Sequence, residues 1–193
     1  MSKEKELMDL IVDIEIDIEK IDSISDLIAE GVDINYTCTE EDQVENLWLA
    51  RTPLLQCIAT GGITLLDVDL EVFELLIEHG VKTDITDELG NTPVLVAIKY
   101  LALEALKLLV QQGANIYDKN TAGENVFDII VAKYYEEAQE LGEDLQAGGG
   151  EAYERMLERI DAIVENGYDL KLLVDLAEQG GFTGIVDYLK SKM

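Results

Sequence analysis

Few residues in this sequence have the types and spacings that catalysis requires. His79 is the single histidine, and it stands just before Gly80 at the end of an apolar run. A histidine in the last turn of a helix bonds to the free carbonyls there, which is a structural role. The sequence has no second histidine for a metal pair and no nucleophile placed beside a base. We therefore expect no catalytic residue.

The other groups with potential chemistry also favour structural roles. Cys38 and Cys57 form neither a disulfide framework nor a metal-binding spacing, and Cys57 lies in an apolar run typical of a core. The acidic loop 83–88 lacks the glycine of a calcium-binding loop. Glycines 148–150 have no lysine or hydroxyl residue of a phosphate-binding loop beside them. We expect a protein that is not an enzyme, with no cofactor and no metal.

The charge of the chain restricts its partners. It has 41 acidic against 14 basic residues, a formal net charge of -27. Such a field repels nucleic acid and anionic lipid and favours a basic protein, although a solvated acidic surface or a halophilic source gives the same balance. The start of the chain is not a signal peptide, and no run is long enough to span a membrane. We expect a cytoplasmic monomer that binds neither nucleic acid nor membrane.

A fixed period organises the middle of the chain. Gly80 and Gly113 each end an apolar helix and lie 33 residues apart, and Gly90 and Gly123 keep the same interval. Each unit has a glycine-containing turn, a short helix and a longer helix ending in glycine. A period of this size indicates a repeat array in which neighbouring units stack to bury their apolar faces.

Two segments carry a family resemblance. Residues 90–97, GNTPVLVA, resemble the turn and first helix of the ankyrin repeat, and residues 106–116, LKLLVQQGANI, resemble its second helix and hairpin start. Thr92 suits the N-cap of the first helix, Pro93 its first position, and Gly113 a left-handed helix end. Leu95 replaces the family's histidine. The resemblance implies a non-catalytic scaffold for protein–protein recognition.

The intervals predict one all-α domain over residues 1–193, an ankyrin-like helical repeat solenoid of four to five repeats with atypical capping repeats. The units run roughly over 3–35, 51–84, 87–117, 120–170 and 171–193. Departures from the period predict three insertions, at 36–49, 61–69 and 136–154. For the last of these we expect lengthened helices joined by a mobile loop.

The first unit requires a choice between helix and strand. Residues 14–19 alternate apolar and acidic, as in a strand. A helical stripe is also present, formed by Leu7, Leu10, Ile11, Ile14, Ile18 and Ile21. Because no partner strand is evident, we predict a helix over 3–20, followed by a second helix from Asp22 or Ser23, one of which would cap it.

The resemblance also places the contact positions, which in this family are hairpin tips and the exposed side of each first helix. Position by position, they fall on Trp48, Arg51, Glu88, Asn91, Lys99, Tyr100, Thr121, Glu124, Lys133 and Tyr134. Trp48, Tyr100 and Tyr134 would be aromatic anchors in an acidic rim, or would pack between repeats instead.

Two binding functions remain open. One is a scaffold that recognises a basic protein, in its concrete form an immunity or antitoxin protein that blocks a basic toxin. The other is an acidic nucleic-acid mimic that blocks a DNA- or RNA-binding protein, which requires carboxylates spaced like phosphates along one face. The alternation in residues 14–19 hints at such a face.

Overall fold

The structure, a computed structural model, describes residues 2–12, 18–39, 42, 50–64, 67–144 and 149–193. These residues form ten helices and no strand, which confirms the predicted all-α class. The chain separates into two compact units, Met1–Ala114 and Asn115–Met193. The single domain and the repeat boundaries drawn from the sequence stay predictions, and the two units are described separately.

Paired helices make up both units. Unit 1 contains α1 (Lys3–Val12), α2 (Ile18–Ala29), α3 (Pro53–Thr64), α4 (Asp67–Glu78), α5 (Pro93–Lys99) and α6 (Leu103–Gln111). Unit 2 contains α7 (Val126–Leu141), α8 (Glu151–Glu165), α9 (Leu170–Gly180) and α10 (Thr183–Ser191).

The helices of unit 1 stack in two layers. The first helices of successive repeats, α1, α3 and α5, contact one another in one layer, and the second helices, α2, α4 and α6, form the other. Leucines 54, 76, 95 and 106 are fully buried between them or nearly so. No single helix pair could cover this apolar surface, so each repeat depends on its neighbours.

The second helices of the repeats end in the same way. Gly113 has a φ of +89°, which a glycine adopts without the steric cost that a Cβ atom would add. The next N–H, from Ala114, donates to the Leu109 carbonyl at 3.0 Å. The same pair of features recurs after α2, α4 and α8, at glycines 31, 80 and 167. The predicted left-handed helix end is therefore confirmed, and it orients each following loop.

The N-terminal prediction was wrong about the boundary between the first two helices and about the cap of the second. The second helix begins at Ile18, so residues 18–20 do not belong to the first helix. Asp22 and Ser23 lie inside α2 and do not cap it, and the Ser23 hydroxyl donates to the Glu19 carbonyl at 2.8 Å. A serine satisfied in this way is tolerated within a helix. Residues 14–17 of the alternating run lie outside the described residues.

The insertions at 61–69 and 136–154 are at least partly helical. Helix α3 continues through Gly61 and Gly62 to Thr64, and α4 begins at Asp67. In unit 2, α7 has 16 residues and α8 has 15, against seven and nine in α5 and α6. The predicted lengthening of the helices at 136–154 is confirmed, whereas residues 145–148 of the joining loop lie outside the described residues.

A buried ion pair joins the two long helices. Arg159 on α8 donates to both carboxylate oxygens of Glu137 on α7, at 3.0 and 2.7 Å. The arginine side chain is 1% exposed and the glutamate side chain 10%. Two charges taken so far from water are tolerated only when both are paired and hydrogen-bonded. Glu137 lies at the start of the insertion and Arg159 just beyond its end, and their pairing fixes α7 against α8.

A carboxylate of the chain occupies the N-terminus of α8. The Glu143 side chain accepts hydrogen bonds from the N–H groups of Glu151 and Ala152, at 2.7 and 3.2 Å. A Cβ atom at Gly150 would lie 2.5 Å from this carboxylate. The glycine therefore makes room for a cap supplied from the end of α7, and the first free N–H groups of the helix bind the protein itself.

Candidate functional site

A groove in unit 1 is lined by the first helices of two successive repeats and by a hairpin tip. Its volume is about 230 Å³. The apolar lining comes from α3, α5 and the segment before α3, through Ala50, Leu55, Ala59 and Val96. The remaining lining is polar or amphipathic and consists of Arg51, Asp87, Glu88, Leu89, Lys99 and Tyr100.

Local sequence positions each wall of this groove. Helix α5 begins at Pro93, and the Thr92 hydroxyl accepts from the Leu95 N–H at 3.4 Å, as predicted for its N-cap. Before α3, the Arg51 carbonyl accepts from the Cys38 N–H at 2.8 Å, which holds the backbone of Arg51 against the preceding loop. The two helix starts therefore face the groove in fixed positions.

The hairpin tip 87–91 is rigid because Asp87 organises it. One Asp87 oxygen accepts from the N–H groups of Leu89 and Asn91, at 2.9 and 2.8 Å, and the other accepts from the Asn91 amide at 2.8 Å. In unit 2, Asn120 and Glu124 hold the next tip with the amide and carboxylate exchanged. This Asx turn leaves Leu89 60% exposed at the tip.

Two cationic side chains stand at the groove. The Arg51 guanidinium pairs with the Glu88 carboxylate, whose side chain is 57% exposed. The Lys99 ammonium lies 5.3 Å from the centre of the Tyr100 ring, in a cation–π arrangement. Both lysine and tyrosine are half-buried. The groove thus combines an apolar floor, an aromatic ring and charges of both signs.

Four of the ten contact positions named from the sequence lie together here. They are Arg51, Glu88, Lys99 and Tyr100. The sequence reasoning missed Leu89, although an exposed leucine directly before the turn glycine was a readable signal. It also missed the apolar floor, because alanines and valines within a helix are as typical of a buried core.

The other predicted positions that the structure describes do not line this groove. Asn91 is 4% exposed and its amide is used within the hairpin. In unit 2, Thr121 is exposed, Glu124 accepts from the Asn120 amide, and Lys133 pairs with Glu136 at 2.7 Å. Trp48 lies outside the described residues.

The aromatic side chain predicted at 134 is packed inward. Tyr134 is 7% exposed and contacts the rings of Tyr135 and Tyr153, with centroids at 5.7 and 6.2 Å. Burial raises the pKa of its hydroxyl. Its neighbour Tyr135 is 44% exposed, so of these two residues Tyr135 presents its ring to solvent.

Asp42, in the first insertion at 36–49, is the centre of a hydrogen-bonded network in unit 1. Asp42 is 6% exposed, pairs with Lys5 of α1, and accepts from the N–H and hydroxyl of Thr39 at 2.8 and 2.7 Å. The Asp42 N–H donates back to the Thr39 hydroxyl at 3.2 Å, which is the reciprocal pattern of a capping box. The hydrogen bond from Lys5, followed by those from Thr39, holds the pKa of the Asp42 carboxyl well below its usual range.

The described residues bring together no three histidine, cysteine or acidic side chains that could hold a metal ion. His79 donates from Nδ1–H to the Leu75 carbonyl at 2.9 Å, in the helix-end position expected from the sequence. Cys38 and Cys57 are both buried and form no disulfide, and burial raises the pKa of the Cys38 thiol. Across the described part of the chain, no helix is long and apolar enough to cross a membrane.

Comparisons with known proteins agree with this geometry. A family model of ankyrin repeats in three copies matches residues 14–120, more than half of the 193-residue chain. The chain is 29% identical over 140 residues to Alpha-latrotoxin-Lg1a of Latrodectus geometricus, a match that takes in 68% of this chain and 9% of the toxin. It is 25% identical over 113 residues to a Coxiella burnetii protein named for its ankyrin repeats, taking in 53% of this chain and 33% of that protein.

The chain therefore spans less than two thirds of the length of either relative. The repeat period, the two stacked helix layers of unit 1 and the match to the family model all point the same way. This chain belongs to the ankyrin-repeat family.

Proposed function

We propose that this protein is a non-catalytic scaffold that binds another protein through the groove of unit 1. Ankyrin repeats generally mediate protein–protein interaction. The observation that carries the proposal is that Arg51, Glu88, Lys99 and Tyr100, all contact positions by the family pattern, line one groove with the exposed Leu89.

The chemistry of the groove suits a protein partner. Binding energy in protein interfaces concentrates in a few aromatic and arginine side chains beside apolar pockets, and Tyr100 and Arg51 are of these types. The rigid hairpin tip holds Leu89 in place before a partner arrives. A pre-ordered contact of this kind lowers the conformational entropy lost on binding.

The charge of the chain favours a basic partner. A net charge of -27 attracts a basic protein over distances comparable to the Debye length and accelerates its association. A cytoplasmic, monomeric inhibitor of the immunity or antitoxin type, which blocks a basic toxin at one-to-one stoichiometry, is the concrete form of this proposal. The nucleic-acid mimic is the alternative, and competition with DNA for the same partner separates the two.

The test is affinity capture from the native lysate with wild type and two leucine variants. Leu89→Ser removes the exposed side chain at the groove, and Leu172→Ser, 39% exposed in unit 2, is the matched control. We expect one basic protein, released by raised salt, that the wild type and the Leu172 variant retain and the Leu89 variant loses. Equal retention by all three proteins would show that the groove is not the binding site.

A further inference from the structure

The acidic side chains of the unit 1 groove are already paired within the chain. Both Asp87 oxygens accept hydrogen bonds from the hairpin, at 2.8 to 2.9 Å. The Glu88 carboxylate pairs with the Arg51 guanidinium. A cationic partner side chain entering the groove would have to share these carboxylates with donors that the chain already supplies, so the groove attracts a cation less than the acidity of the whole chain suggests.

The lysine of the groove, Lys99, differs from these acids in its pairing. Lys99 rests against the Tyr100 ring and has no carboxylate partner among the described residues. Elsewhere in the described chain most basic side chains are paired, as Lys3 is with Glu30 and Lys107 with Glu104. In a protein with 41 acidic residues, a half-buried lysine without such a partner is an unused donor for an anionic group.

The space beside Lys99 is apolar and small. Leu55, Ala59 and Val96 form its floor, and Leu89 stands at its edge. A volume of about 230 Å³ lies below the roughly 300–1,000 Å³ typical of small-molecule pockets. It suits one or two side chains of a protein segment.

We propose that the groove takes a partner segment that carries an aspartate or glutamate next to an apolar residue, with the carboxylate on the Lys99 ammonium and the apolar side chain on the floor formed by Leu55, Ala59 and Val96. This inference rests on the proposed binding function and specifies the chemistry of the anchor. It is compatible with a partner that is basic as a whole, because the field of the protein steers the encounter while the groove selects the segment.

The inference is tested by measuring whether removal of the Lys99 charge weakens or strengthens the binding of peptides to the groove. Lys99→Met keeps a long side chain against Tyr100 and removes the charge. Lys107→Met makes the same change in net charge on α6, where the lysine is exposed and outside the groove. A library of random linear peptides is displayed and selected on the wild-type full chain, and the selected peptides are then titrated against wild type, both lysine variants and Leu89→Ser.

We expect the selected peptides to be enriched in aspartate or glutamate beside an apolar residue. They should bind Lys99→Met roughly tenfold more weakly, the usual effect of losing a hydrogen bond to a charged group, and Lys107→Met unchanged. Two kinds of selected peptide that Leu89→Ser weakens would contradict this expectation, namely basic peptides and peptides that bind Lys99→Met as well as or better than wild type. Such peptides would overturn the carboxylate anchor but would leave the groove as a binding site. If no selected peptide is weakened by Leu89→Ser, both the anchor and the proposed function of the groove fail.

Discussion

The ion pair between Arg159 and Glu137 is the most deeply buried charge interaction in the described residues. We predict that Glu137→Ala destabilises the fold by about 3–5 kcal/mol, because it leaves the arginine charge buried without a counter-charge. Urea unfolding followed by circular dichroism measures this loss.

A double variant separates packing from charge at this pair. Replacing both residues by apolar ones, with Arg159→Met and Glu137→Leu, removes the buried charges together and is expected to leave stability within about 1 kcal/mol of wild type or above it. Lys133→Met, which breaks the exposed pair with Glu136, should cost at most about 1 kcal/mol. If Glu137→Ala lost no more stability than Lys133→Met, the buried charge of Arg159 would not need Glu137 as its partner, and the prediction would be wrong.

The carboxyl of Asp42 predicts a pH dependence. Its pKa in the folded protein is lowered, chiefly by the hydrogen bond from Lys5. Stability from this group is therefore fully present above the unfolded pKa of about 3.9 and is lost as the pH falls below that value toward the folded pKa. We expect wild type to be more stable than Asp42→Asn at pH 7 and the difference to shrink below about pH 4.

Urea unfolding of both proteins across this pH range measures the difference. Glu6→Gln, an exposed carboxyl on the same helix as Lys5, is the control and should track wild type at every pH. A difference between wild type and Asp42→Asn that stays constant from pH 7 to pH 3 would show that the Asp42 charge is not what stabilises this loop.

At the scale of single residues, the sequence predicted the groove only in part. Arg51, Glu88, Lys99 and Tyr100 follow from the family pattern because they occupy fixed places in each repeat. The Arg159–Glu137 pair does not follow from it, since Glu137 lies in an insertion that the pattern does not cover. Spacing along the chain does not show which of many acids meets a particular arginine across two helices.

Among the elements, the glycine ends of the second helices make a direct prediction. Gly113 has a φ of +89° with nothing within 4 Å of a Cβ placed there, so a substitution is opposed by backbone strain alone. We expect Gly113→Ala to cost about 1–2 kcal/mol. Gly149→Ala is the control, because Gly149 has open space and no left-handed backbone, and it should be neutral or slightly stabilising.

Thermal and urea unfolding of the two glycine variants provide the measurement. Because both changes add one methyl group in open space, any difference between them reflects the backbone conformation. Equal stabilities would mean that the helix end at Gly113 accepts a side chain without strain.

The helices that follow the repeat period were predictable, and those that depart from it were less so. Thr92, Pro93 and Gly113 mark the limits of α5 and α6 with residues that have a known place at helix ends. The start of α2 at Ile18 was missed because Asp22 and Ser23 are as compatible with a helix interior as with a cap. The position of a helix end is then decided by packing, which the local sequence does not contain.

At the scale of the whole molecule, the charge of the chain and that of its groove differ. The chain carries -27, whereas the groove lining holds two bases and two acids. Long-range attraction and local recognition can therefore have different signs in one protein, since the first depends on the sum of all charges and the second on the contacts made in the groove. Composition alone indicates only the first.

The net charge also predicts how salt acts on the free protein. Because the chain has 41 acidic and only 14 basic residues, repulsion between like charges opposes the compact state. Salt shortens the Debye length from about 30 Å at 0.01 M to about 8 Å at 0.15 M and should therefore weaken this repulsion. We expect sodium chloride over this range to raise the melting temperature by several degrees, since 1 kcal/mol corresponds to about 2–4 °C for a chain of this size. The described ion pairs are mostly exposed and each contributes little, so their screening should not reverse the effect.

Differential scanning calorimetry at matched pH measures the shift, with sucrose at equal osmolality as the uncharged control. A melting temperature that falls with salt would mean that attractive pairs outweigh the repulsion in stabilising this fold.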